Sequence, residues 1–161
     1  MFKSALAFLF ISVGCGLLLV FTADLTAPRI EQNRLAARLD IARTLLAPLP
    51  AEVNLALPIS GTCDAVLLLN MVSPGYAGDI QLLARWQPAA GVAMRVVAHS
   101  ETPGIGDFID HTRGPWLAGW DDTLEGDIPT IDGIGRATIT TNAIKYAFSQ
   151  ALHRAEVHCE R

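Results

Sequence analysis

The sequence predicts an α+β domain behind a single membrane-spanning helix, with a central antiparallel sheet flanked by helices. Three observations carry this. Ala5 to Ala23 (ALAFLFISVGCGLLLVFTA) runs for nineteen residues without a charge. Val92 to His99 alternates as a strand does, with Val92, Met94, Val96 and Ala98 set against Ala93, Arg95, Val97 and His99. Ile139 to His153 places Ala143, Ile144, Ala147, Phe148, Ala151 and Leu152 on one helical face. Helices at the ends and strands between are the α+β pattern.

Residues 5–23 are the expected membrane helix, with residues 1–4 as a cytoplasmic N-terminus. At 1.5 Å per residue the run covers about 28 Å, close to the hydrocarbon thickness of about 30 Å. It also explains the composition, 51% apolar and 17% charged, against about 25% charged in average soluble domains. A cleaved signal peptide is disfavoured by the length of the run and by Phe21, three residues before a cut after Ala23. A lipoprotein signal is disfavoured because Cys15 lies mid-run. Lys3 and the short N-terminus favour an inside N-terminus, although Arg29, Arg34, Arg38 and Arg43 oppose a simple positive-inside count. The main domain is then periplasmic or otherwise exterior.

Residues 24–60 read as an amphipathic helix and a linker. Ile30, Leu35, Leu39, Ile41, Leu45 and Leu46 recur at helical spacing, Thr26 is the expected N-cap and Pro28 lies in the first turn. The apolar face packs either on its own domain or on a partner subunit. Pro48, Pro50 and Pro58 mark Ala47 to Ser60 as extended.

Residues 61–161 form the expected globular domain. Asp64 to Asn70 and Asp79 to Trp86 are β-compatible and are separated by the turn-rich Ser73 to Gly78. Pro115 to Trp120 has the makings of a helical turn. The net charge of −4 and the lack of a basic stripe argue against nucleic acid. Cys63 and Cys159 in an exterior domain favour a disulfide; the alternative is two buried thiols. Cys15 reads as a small apolar residue of the membrane helix. Two cysteines and four scattered histidines offer no metal-binding spacing. No GxSxG or HExxH motif marks a hydrolase.

Two stretches carry chemistry. His99 to Asp107 (HSETPGIGD) follows the clearest strand, and Pro103, Gly104 and Gly106 give a tight turn with exposed amides, beside Glu101, Thr102 and Ile105. Such amides approach a planar ring or a phosphate; a plain strand-to-loop turn is the bland reading. Asp132 to Thr141 (DGIGRATITT) leads through glycines and hydroxyls into the last helix. A helix N-terminus offers unpaired amides and a positive dipole end to a phosphate. Thr140 or Thr141 is the expected cap, which leaves Thr138 exposed; ordinary capping threonines are the bland reading here.

In this order behind one anchor, these stretches resemble the RnfG family, the flavin-bearing subunits of the Rnf electron-transport complex. NqrC of the sodium-pumping quinone reductase is similar more distantly. The resemblance covers the span, Cys63, Gly75 to Leu83, the Glu101 to Asp107 turn, Trp116 and the cysteine near the C-terminus. The domain is short for the family around Leu124 to Ile131. The family's threonine motif reads D-x-x-[ST]-G-A-T-x-T, and a flavin transferase joins FMN to the last threonine of its GAT triplet through a phosphodiester. Carried over, that residue is Thr138, and Asp132, Ala137 and Thr140 also match. Two positions depart: Gly135 replaces Ser or Thr, and Arg136 replaces Gly. If that glycine takes positive φ, Arg136 carries a penalty of about 1–2 kcal/mol. Its side chain then either obstructs the transferase and the phosphate or pairs with the phosphate.

The resemblance implies an electron carrier rather than an enzyme with its own substrate. Covalent FMN would rest on Thr138, and Glu101, Thr102, Gly104, Ile105, Gly106, Ala137, Ile139, Thr140 and Thr141 would surround it. Asp132, Arg136 and Thr138 would face the transferase. The implied partners are the other subunits of a Rnf-type inner-membrane complex, which couples ferredoxin–NAD electron transfer to ion movement. The alternative is a flavin-free structural or assembly subunit of the same kind of complex.

Overall fold

The computed structural model describes residues 2–46 and 54–160, with side chains from residue 8 onward. Met1, Arg161 and the stretch of the expected linker that holds Pro48 and Pro50 lie outside the described residues.

The apolar run and the amphipathic run form one helix, α1 (Phe2–Leu45), with Pro28 inside it. The expected helix start at Thr26 is therefore corrected. The Thr26 hydroxyl donates back to the carbonyls of Thr22 (2.9 Å) and Ala23 (3.2 Å). No glycine breaks the segment Asp24 to Ala27, and the helix runs through it. Pro28 forfeits only its own missing donor and crowds the carbonyl four residues back. Phe8–Leu45 is long and apolar enough to cross a membrane.

The chain divides into two units, residues up to Ala37 and residues from Arg38 onward. In the second unit the end of α1 buries Ile41, Ala42 and Leu45 against Leu55, Leu68, Leu83 and Ala93. Ile30 and Leu35, earlier on the same helix, are exposed.

Four strands follow in a meander, β1 (Ile59–Thr62), β2 (Val66–Pro74), β3 (Asp79–Gln87) and β4 (Gly91–Ala98), each antiparallel to the next. β1 begins in the last two residues of the stretch expected to be an extended linker, Ile59 and Ser60, and runs into the expected globular domain. It is short and adjoins Pro58, and Gly61 adopts φ 115° where a β-carbon would overlap the carbonyl oxygen of Val66. β2 extends past the expected Asn70 to Pro74, so the turn before β3 shrinks to Gly75–Gly78.

Alternation along the strands gives the sheet two apolar faces. Leu67, Leu69 and Met71 of β2, Ile80 and Leu82 of β3, and Met94 and Val96 of β4 pack on the last helix, α2 (Thr138–Cys159), through Ile144, Ala147, Phe148 and Ala151. The opposite face, Leu68, Leu83 and Ala93, receives the end of α1. Each large side chain buried in such a layer contributes about 1.5–3 kcal/mol. A buried hydrogen bond from Ser73 Oγ to the Ala143 carbonyl (2.7 Å) pins β2 to α2.

The segment between β4 and α2 contains three 3₁₀ turns, Asp107–Ile109, Ala118–Trp120 and Glu125–Thr130. The helical turn expected at Pro115 to Trp120 is thus present in shorter form. Reciprocal backbone bonds between Val92 and Thr123, both 2.9 Å, hold this segment to the edge of β4. Arg95 makes two 2.6 Å bonds to the Asp121 carboxylate, and Arg85 pairs with Asp122. α2 runs past the expected end at His153 to Cys159, which is joined to Cys63 by a disulfide with a Cα–Cα distance of 5.6 Å.

Candidate functional site

Three loops far apart in sequence meet on one buried carboxylate. Glu101, just past β4, is 4% exposed. Its Oε1 accepts hydrogen bonds from the amides of Tyr76 (2.8 Å) and Ala77 (3.1 Å) in the β2–β3 turn. Its Oε2 accepts one from the Thr140 hydroxyl in the first turn of α2 (2.5 Å). Charge-assisted bonds of this kind are the strong ones, and a buried carboxylate requires them. Close packing around Glu101 dictates the glycines. A β-carbon on Gly106 would stand 2.7 Å from Glu101 Oε2, and one on Gly75 would overlap Oε1 and stand 2.8 Å from the Gly78 carbonyl oxygen.

The Glu101 to Gly106 turn is closed on itself. The Thr102 carbonyl accepts from the amides of Ile105 (3.1 Å) and Gly106 (2.9 Å). Asp107 accepts from Gly104, which sits at φ 76°. The expectation that this turn presents exposed amides is therefore corrected, because its own carbonyl and Asp107 have taken them.

The segment before α2 is the opposite case. Ala137, not a threonine, precedes the helix, and no side chain caps it. The expected caps point inward: Thr140 is taken by Glu101, and the buried Thr141 hydroxyl accepts from the Ile134 amide (3.4 Å). Ala137 donates to the Ile134 carbonyl and Thr141 donates to the Ala137 carbonyl. Among the described residues, the amides of Thr138, Ile139 and Thr140 have no acceptor. Thr138 itself is exposed in the first helical turn. Arg136 has φ 75°, the left-handed backbone that the sequence made conditional.

A cavity of about 350 Å³ opens where these loops meet. Such a volume is at the lower end for small-molecule sites. Of the residues expected to surround a ligand, Glu101, Thr102, Ile105, Gly106, Ala137, Thr138, Ile139 and Thr140 line it, with Arg136. Gly104 and Thr141 do not: Gly104 donates to Asp107 within its own turn, and Thr141 is buried and accepts from Ile134. Asp132 is exposed on the approach to α2, outside the lining. Tyr76 also lines the cavity and was missing from the expected set. The signal was an aromatic side chain set in the turn Gly75-Tyr76-Ala77-Gly78. Tyr76, Ile105 and Ile139 are all exposed, so the cavity offers apolar walls for a planar ring beside donors for an anion.

Behind the turn, the Glu101 amide donates to His99 Nδ1 (3.1 Å), and His99 Nε2 lies 3.8 Å from Asp110. Burial raises the Asp110 carboxyl. Hydrogen bonds from the Thr112 amide and hydroxyl, with His111 and His99 nearby, outweigh it and hold Asp110 below its ordinary value.

Comparison with known proteins points the same way. A family model described as an FMN-binding domain matches residues 75–153, which contain all three loops. The chain is 37% identical over 128 residues to the G subunit of the ion-translocating oxidoreductase complex of Pseudomonas aeruginosa, covering 71% of this chain and 58% of that protein. The G subunits of the same complex in Haemophilus influenzae (34% over 96 residues; 52% of this chain, 46% of that one) and Vibrio cholerae (30% over 110 residues; 61% and 53%) are also similar. The chain spans about half the length of these relatives. Sequence, fold and the converging loops agree: the chain belongs to the RnfG family of FMN-binding-domain proteins.

Proposed function

We propose that this protein is an electron-transfer subunit of a Rnf-type membrane complex, carrying FMN on Thr138 through a phosphodiester. The observation that carries this reading is the exposed Thr138 hydroxyl on the cavity wall, beside three unpaired amides at the start of α2. Unpaired amides and the helix dipole stabilise a phosphate there. Attachment joins Thr138 Oγ to the flavin phosphorus of an activated flavin nucleotide held by a flavin transferase. The bond from that phosphorus to the activating nucleotide breaks, that nucleotide leaves with the hydroxyl proton, and the chain gains the mass of FMN less water.

FMN supplies one- and two-electron chemistry; the chain supplies position and electrostatics. Glu101 fixes the three loops. Tyr76, Ile105 and Ile139 form the apolar walls that exclude water from a ring. α1 anchors the carrier among the other subunits, with the N-terminus inside and the domain in the periplasm. A covalent link suits that location, where lost FMN is not readily replaced.

Protein from native membranes, denatured and run on a gel under ultraviolet light, should fluoresce, and its mass should exceed the chain's by one FMN less water. A Thr138→Ala variant that stays fluorescent refutes the assignment. A second reading, a flavin-free structural or assembly subunit, is favoured by Arg136 standing two residues before Thr138. An unmodified mass in a fully assembled complex supports that one instead.

A further inference from the structure

We propose that Arg136 is a phosphate ligand, so that the chain holds phosphorylated flavin at this site before, and without, any covalent bond. The inference rests on reading the cavity as the flavin site.

Arg136 lines the cavity beside Ala137 and Thr138. Its backbone is fixed between two hydrogen bonds, from Ala137 to the Ile134 carbonyl and from Ile134 to Thr141 Oγ1. The side chain therefore leaves from a set point next to Thr138. In the globular unit Arg85, Arg95 and Arg113 lie against Asp122, Asp121 and Asp107. Arg136 has no carboxylate partner among the described residues. The carboxylate that does line the cavity, Glu101, is occupied by three donors. An unpaired guanidinium, three unpaired amides and a free hydroxyl therefore converge on one wall. A phosphate monoester answers all of them with charge; the same flavin without phosphate offers only neutral hydroxyl and carbonyl acceptors. A guanidinium also offers a planar fork that matches phosphate oxygens.

The test uses the full chain, produced without a flavin transferase, purified in detergent and titrated with FMN or riboflavin by flavin fluorescence. FMN should bind at least about tenfold more tightly than riboflavin, as one charge-assisted contact provides. Excess inorganic phosphate should weaken FMN and leave riboflavin unaffected. Arg136→Gln and Arg136→Gly should each remove the preference, Arg136→Lys should retain part of it, and Arg154→Gln should leave it unchanged. Equal affinity for the two flavins, or an undiminished preference in Arg136→Gln, overturns the role of Arg136. If native protein then still carries the FMN mass, the flavin site stands without it. If no flavin binds and no flavin mass is found, both fall.

Discussion

Two of the three glycine-containing loops at the cavity, Glu101 to Asp107 and Asp132 to Thr141, look alike in sequence and do opposite things. Around Glu101 every relevant polar group is consumed: Gly104, Ile105 and Gly106 donate within their own turn, and Glu101 takes donors from two other loops. Around Thr138 the donors are left open, because the threonines that would cap the helix face inward. Glycine thus has two uses here. Gly106 permits close packing, whereas at Gly135 a β-carbon would meet nothing within 4 Å. One turn is scaffold, and the other leaves its backbone donors open.

The largest effect should come from cutting the scaffold. Glu101→Ala strands the amides of Tyr76 and Ala77 and the Thr140 hydroxyl, at a cost of about 3 kcal/mol or more. Thermal unfolding of the full chain in detergent should show a drop of many degrees; an unchanged midpoint would break the comparison. Gly106→Ala should cost about 1–3 kcal/mol through overpacking, while Gly135→Ala should stay within about 0.5 kcal/mol. Equal costs at the two glycines would erase the distinction between the turns. Arg136→Gly should raise stability slightly. It releases about 1–2 kcal/mol of left-handed strain and returns about 0.5–1 kcal/mol to the unfolded chain. A lower midpoint would mean that Arg136 makes contacts which outweigh its backbone.

The smallest effect concerns pH. Asp110 is held low in the folded state. Its contribution is present above the unfolded carboxyl value and is lost as pH falls through the folded one. Between those two values wild type should lose stability on acidification more steeply than Asp110→Asn. Parallel acid titrations of the two proteins check this, and superimposable slopes would remove Asp110 from the account.

Much of this was legible in the sequence because period-2 and period-3.6 patterns report burial directly. Val92 to His99 and the face of α2 are cases where one pattern fits one partner. β1 was not legible, since four residues beside Pro58 carry too little pattern, and only pairing with β2 makes them a strand. The join at Pro28 was missed because a capping threonine and a first-turn proline are also compatible with a helix that does not stop. At the site, residue identities were legible but hydrogen-bond partners were not. Thr140 reads as a cap until Glu101, 39 residues earlier, is brought beside it. Whether an amide is spoken for depends on what the fold places opposite it.

The bond between Cys63 and Cys159 makes residues 63–159 a covalent ring. The strands β2 to β4, the cavity loops and α2 all lie within it. A single protease cut at the exposed Thr112–Arg113 segment therefore opens the ring without detaching a fragment. The nicked molecule should migrate near full length on a non-reducing gel and as two pieces after reduction. Damage to that one loop would leave the part bearing Thr138 attached to α1 through the disulfide.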